Sequence, residues 1–154
     1  MKKTVVAFVM VAGLFGVAAE ARAAEKGKKG GTAVLIPAGD LQWSDVPGFE
    51  GVKTVVPEGD AAKGPHHAFL KFAPGFAAPL HHHTANHYAT VISGTLVLVV
   101  DGEEHKLPAG SYFALTGKKK HETRCEAGAD CVLFLDARGK WDVLPEKPAA
   151  SPKK

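Results

Sequence analysis

No stretch of the 154-residue sequence has apolar residues recurring at helical spacing, and there is no internal repeat and no glycine-rich phosphate loop. Ser44, Ser93, Ser111 and Ser151 stand in no nucleophile motif, and the acidic residues form no pair that sequence can place face to face. Nothing therefore supports helical architecture, phosphate-loop chemistry or a serine nucleophile. Charge of one sign is also missing: 19 basic residues against 16 acidic leave a formal net charge of +3. The lysines at 26 to 29 and 118 to 120 are short, separate clusters that read as solvated loops, so there is no electrostatic case for nucleic acid.

Long apolar runs are absent after the first, which extends from Thr4 to about Ala19. It is shorter than the roughly 20 residues a spanning helix needs. It follows Lys2 and Lys3 and precedes Ala21-Arg22-Ala23, the small-x-small form of a signal-peptidase site. We expect residues 1–23 to be a signal peptide and the mature chain to begin near Ala24, in the periplasm or secreted, with no stable membrane insertion. Cleavage would remove Lys2, Lys3, Arg22 and Glu20, taking 19 basic and 16 acidic residues to 16 and 15. Residues 24–32 and 146–154 are rich in Gly, Pro, Lys and Ala with few bulky apolar groups, and read as flexible tails around one domain at 33–145.

Within that domain, short apolar or alternating runs are broken by turn signals at intervals of about ten residues. "HAFLKF", "YATVIS", "TLVLVV", "HKL", "SYFAL" and "CVLFLDA" are rich in Val, Leu, Phe and Tyr. The pattern predicts an all-β sandwich or barrel, with Asp101-Gly102 as a two-residue hairpin turn. "TLVLVV" is apolar throughout, so both its faces need cover; a second copy of the chain, giving a homodimer, is one way to supply it.

Histidine is concentrated where other functional residues are sparse. His81, His82, His83 and His87 fall within seven positions, and His121 lies downstream at the start of "HETRC". On a strand, His81 and His83 point the same way about 7 Å apart, a span two imidazoles can close on one ion, while His82 points away. "TAN" reads as a turn that returns His87 beside them.

Gly75-x5-His81-x-His83-x3-His87-x6-Gly94 resembles the first motif of the cupin superfamily, G-x5-H-x-H-x3-4-E-x6-G, with His87 in place of glutamate. Gly102-x5-Pro108-x-Gly110, with His121 eleven residues further on, resembles the second motif; Cys125 stands where asparagine is usual. The resemblance spans roughly residues 66 to 136, and small exported cupins and ChrR-like cupin domains are similar. It implies a single double-stranded β-helix, or jelly-roll, barrel and a divalent transition metal (Fe, Zn, Ni, Mn or Cu) held by His81, His83, His87 and His121.

Three coordination schemes follow from those four residues. Four ligands on tetrahedral zinc close the site, whereas four on six-coordinate Fe(II), Ni(II) or Mn(II) leave two positions open. In the third scheme His81, His83 and His121 bind, with His87 a base or hydrogen-bond donor beside the ion. The motif position of His87 favours four ligands. The function implied is a metal-dependent enzyme of dioxygenase type acting on a small anionic or enolisable molecule. Its alternative is a non-catalytic metal or small-molecule binder or sensor with a structural ion.

Cys125 and Cys131 flank five residues and are expected to pair as a disulfide across the neck of a hairpin, with free thiols as the alternative. One of His66 and His67 must face inward, and His66, Phe72, Tyr88 and Phe113 are candidate pocket residues. His105 reads as surface, and Trp43 and Trp141 as packing residues on the barrel's outer face.

Overall fold

The computed structural model describes residues 31–146, so the expected signal peptide and most of both tails lie outside the described residues. Among the described residues, eleven strands form two antiparallel sheets, with one three-residue 3-10 turn at Ala38–Asp40. The first sheet has six strands: β1 (Ser44–Asp45), β2 (Val52–Gly59), β3 (His66–Phe72), β10 (Cys131–Ala137), β5 (His87–Ser93) and β8 (Tyr112–Leu115), in that spatial order. The second has five: β11 (Leu144–Pro145), β4 (Ala77–His82), β9 (His121–Cys125), β6 (Thr95–Val100) and β7 (Glu103–Pro108). This is the all-β barrel architecture expected from the spacing of runs and turns.

Alternation decides what each strand buries. Along β10, Cys131, Leu133, Leu135 and Ala137 are buried while Val132, Phe134 and Asp136 are not. At one end Leu96, Leu98, Phe72, Leu133 and Val91 interdigitate as the main core. At the other, the inward positions of the central strands are Ala68, Ala89 and Ala137, whose small side chains leave room inside the barrel. The Asp101-Gly102 hairpin forms as expected: both residues have positive φ, 55° and 85°, and join β6 to β7 in register.

The fully apolar β6 is covered on both faces within one chain. Leu96 and Leu98 enter the core, and the outward Val97, 4% exposed, stands in register between Lys106 of β7 and Arg124 of β9. Those two residues pair with Glu126 and Glu104.

Strand β2 has no counterpart among the runs read from sequence, because Lys53, Pro57 and Glu58 break its apolar pattern. The structure tolerates Pro57 where the register with β3 slips, between Val55 and Glu58, beyond the two residues that β1 covers.

The cysteine pair forms with a Cα separation of 5.8 Å, but the hairpin expected to carry it does not exist. Strands β9 and β10 lie in different sheets, so the bond staples one sheet to the other at the end of the barrel remote from His121 and Ala137. Gly94 abuts this staple with φ of 75°, and a Cβ there would come within 2.6 Å of the Asp130 carbonyl oxygen. Loop-closure entropy over so short a ring makes the disulfide worth about 2 kcal/mol. Reduction is therefore expected to lower the melting temperature by roughly 5–10 °C, read by circular dichroism with and without reductant; an unchanged melt would show that the staple adds nothing.

Candidate metal centre

Strand register gathers the buried histidines. In the first sheet Ala137 of β10 pairs with His66 of β3 on one side and His87 of β5 on the other, so a small residue is flanked by two imidazoles. In the second sheet His81 of β4 pairs with His121 of β9. His83 follows β4 directly, in the turn that returns the chain to His87. Each of His66, His81, His83, His87 and His121 is 2–6% exposed. His82, on the opposite face as alternation requires, lies 2.8 Å from the Glu146 carboxylate.

Nitrogens of His81, His83 and His121 lie within 4.8 Å of one another, close enough to hold one ion. The ring centroids of His81 and His121 are 4.3 Å apart, and those of His81 and His83 5.0 Å. His87 stands beside this trio and outside it, with its ring 4.8 Å from that of His83 and 6.0 Å from that of His121.

Backbone carbonyls set the tautomers. Nδ1–H of His81 donates to Pro79 at 2.8 Å, that of His121 to Lys119 at 2.9 Å, and that of His83 to Asp142 at 2.5 Å. His87 makes a long bond of the same kind to Ala85, at 3.5 Å. A carbonyl oxygen only accepts, so each Nδ1 carries the proton and each Nε2 keeps its lone pair. Burial, by stripping water from the charged form, pushes His83 down to about 3 and His87 and His121 to about 4, and lowers His81. All four are neutral near pH 7, the form that binds metal.

The donor set is chemically selective. Among the described residues, no glutamate or lysine lines the site, and the one carboxylate in its lining, that of Asp142, is turned to the Thr84 backbone N–H and hydroxyl at 2.8 and 2.7 Å. Neutral imidazole nitrogens without carboxylates suit Zn, Cu, Fe or Ni and fit Mg or Ca poorly.

Two contributors have no signal in sequence spacing. The Trp141 ring stacks on that of His83 at 4.0 Å and 24°, and meets His87 edge-on at 5.3 Å. The expectation that Trp141 seals the outer face is therefore wrong; it lines the interior because the segment after β10 crosses back over the barrel. Trp43 does lie outside, under the Lys71 ammonium at 4.3 Å. Asp142 supplies the His83 carbonyl partner from 59 residues away.

The histidines open onto a cavity of about 450 Å³ between the sheets, lined also by His66, Phe72 and Phe113. Tyr88 is not part of that lining; it lies under Arg138 at 5.3 Å. His67 turns outward to Glu58 at 2.9 Å, and His105 is exposed on β7.

Comparison with known proteins agrees with this fold. A family model described as "Cupin domain" matches residues 68–137. No curated protein matches. Among solved structures, the chain is similar to the polyketide cyclase RemF from Streptomyces resistomycificus, with 18% identity over 79% of this chain and 90% of that one and a TM-score of 0.65. It is also similar to an RmlC-like cupin from Shewanella frigidimarina, with 19% identity, 70% and 92% coverage and a TM-score of 0.56. A third likeness is to a chain of the Rhodobacter sphaeroides SigE complex with the anti-sigma ChrR, with 22% identity, 66% and 51% coverage and a TM-score of 0.53.

Proposed function

We propose a metal-centred function for this chain, which belongs to the cupin superfamily. His81, His83 and His121 hold one divalent transition ion through Nε2, and His87 either completes the set or stands beside the ion as a hydrogen-bonding group. The observation that carries this reading is the trio of buried, neutral, carbonyl-oriented imidazoles with nitrogens within 4.8 Å. When bound, such an ion supplies Lewis acidity toward an oxygen of the ligand.

The chain's own residues do the rest. The carbonyls of Pro79, Asp142 and Lys119 fix the imidazole rings, and the apolar walls exclude water. The reaction class we favour is a metal-dependent oxidoreduction of dioxygenase type on a small molecule bearing an enolisable or anionic oxygen group. The structural relatives span a cyclase and an anti-sigma complex, so the fold alone does not choose between catalyst and sensor. The second reading, a non-catalytic binder, draws on the closeness of His87 to His83: a fourth nitrogen on zinc would close the site. We place the mature protein outside the cytoplasm, on the strength of the N-terminal signal pattern.

Metal analysis of the protein isolated from its native compartment tests the proposal. We expect about one ion per chain, lost in His121→Ala. X-ray absorption then separates the two readings. Oxygen ligands beside nitrogen, on iron, nickel or manganese, would support an open site and justify O₂-uptake assays, whereas four nitrogens on zinc would support the binder. Metal absent from both proteins would end the proposal.

A further inference from the structure

The cavity beyond the histidines has its own chemistry. It is about 450 Å³, within the range of sites that enclose a drug-sized ligand, and most of its lining is aliphatic or aromatic. Among the described residues no lysine or arginine lines it, and the one carboxylate in its lining is held by Thr84. Thr54 already donates its hydroxyl to the Phe69 carbonyl. Apart from the four clustered histidines, the polar side chains left in the described lining are Thr123, Trp141 with its indole N–H, and His66, whose Nδ1–H is engaged by the Gly64 carbonyl, leaving Nε2 as an acceptor.

We infer that this site selects a molecule with a flat, largely apolar body and a single oxygen-bearing head, and discriminates against small dianions and phosphorylated sugars. The inference rests on the proposed metal reading for the head and on the cavity alone for the body. A dianion or a phosphate group needs cationic side chains to replace its hydration, and the walls offer none. The stacked pair Phe72–Phe76, with ring centroids 5.1 Å apart, together with Phe113 and Trp141, offers aromatic surface to a planar body. A malonate-sized ligand would leave those surfaces unfilled. The Nε2 atom of His66 adds one acceptor for a hydroxyl on the body.

Calorimetric titration provides the test, with hydroxynaphthoic acid and malonate on metal-loaded protein and with neutral naphthol on metal-free protein. The expected result is that hydroxynaphthoate binds about 10- to 100-fold more tightly than malonate, from burial of the ring system. Naphthol should still bind the metal-free protein, and Ala78→Phe, which fills the cavity from the β4 wall, should weaken it by about tenfold or more. If Ala78→Phe does not fold, Val56→Phe at the exposed rim takes its place. Malonate binding as tightly as hydroxynaphthoate, no naphthol binding, or unchanged affinity in the filling variant would each overturn the inference. Naphthol binding by a protein that takes up no metal would uphold the apolar site while removing the metal reading, so the two failures are separable.

Discussion

Acidifying the metal-free protein from neutrality to about pH 4 is expected to unfold it. His83, His87 and His121 have folded pKa values of about 3, 4 and 4, against an ordinary value of 6.5, because burial strips water from their charged forms; His81 is displaced the same way. Between those values and 6.5 the unfolded chain binds more protons than the folded one, so stability falls as pH falls. The loss begins near pH 6.5, continues to about 4 for His87 and His121, and extends to about 3 for His83. Each tenfold change in proton affinity is worth about 1.4 kcal/mol, so at pH 4 His83 alone costs about 3 kcal/mol and the set costs several times that, comparable with the whole ~5–15 kcal/mol of a domain. Urea midpoints measured from pH 7 down to 4 test this. A flat profile, or a slope unchanged in His83→Gln, would show that these imidazoles titrate normally. Loading with Zn(II) should move the transition to lower pH, because only the neutral ring binds metal.

How much of this was legible in the sequence depends on whether the signal is local. The strands β3, β5, β6, β8 and β10 are visible because their apolar and β-branched residues fall between turn signals, and Asp101-Gly102 announces its hairpin by the positive φ it accepts. The inward pair at the end of β4 and just beyond it follows from period-two alternation, which puts His81 and His83 inside and His82 against Glu146. The partners brought together by topology were not legible. Cys125 and Cys131 are close in sequence and do pair, yet they join two sheets, because the chain crosses from one to the other within five residues. Strand β2 was hidden by Pro57, which an edge position tolerates. The crossing of residues 138–146 over the barrel, which sets Trp141 against His83, carries no periodicity at all.

Replacing Trp141 with alanine is expected to reach the proposed metal site as well as the fold. The segment that carries it is anchored along its length: Arg138 N–H donates to Asn86, Trp141 N–H to Ala61 at 2.7 Å, and Glu146 N–H to Leu80 at 2.9 Å, while Leu144 and Pro145 pair with His82 and His81. Within this strap Trp141 covers the face of His83, and Asp142 fixes its Nδ1–H. Loss of the indole leaves a gap beside a ring that must hold its orientation to within tenths of an ångström. The half-buried position puts the stability cost at about 2–3 kcal/mol, below the ~3–5 of a fully buried tryptophan. Outer partners that orient a ligating histidine are typically worth about 10- to 100-fold in metal affinity, and that is the loss expected for Trp141→Ala, with partial recovery in Trp141→Phe. The indole is its own reporter. Metal binding should change the fluorescence of the native protein, and Trp141→Ala, which keeps only the distant Trp43, should show no such change. Metal affinity within about twofold of native in Trp141→Ala, well short of the loss expected for an orienting partner, would reduce the strap to a cover over the cavity.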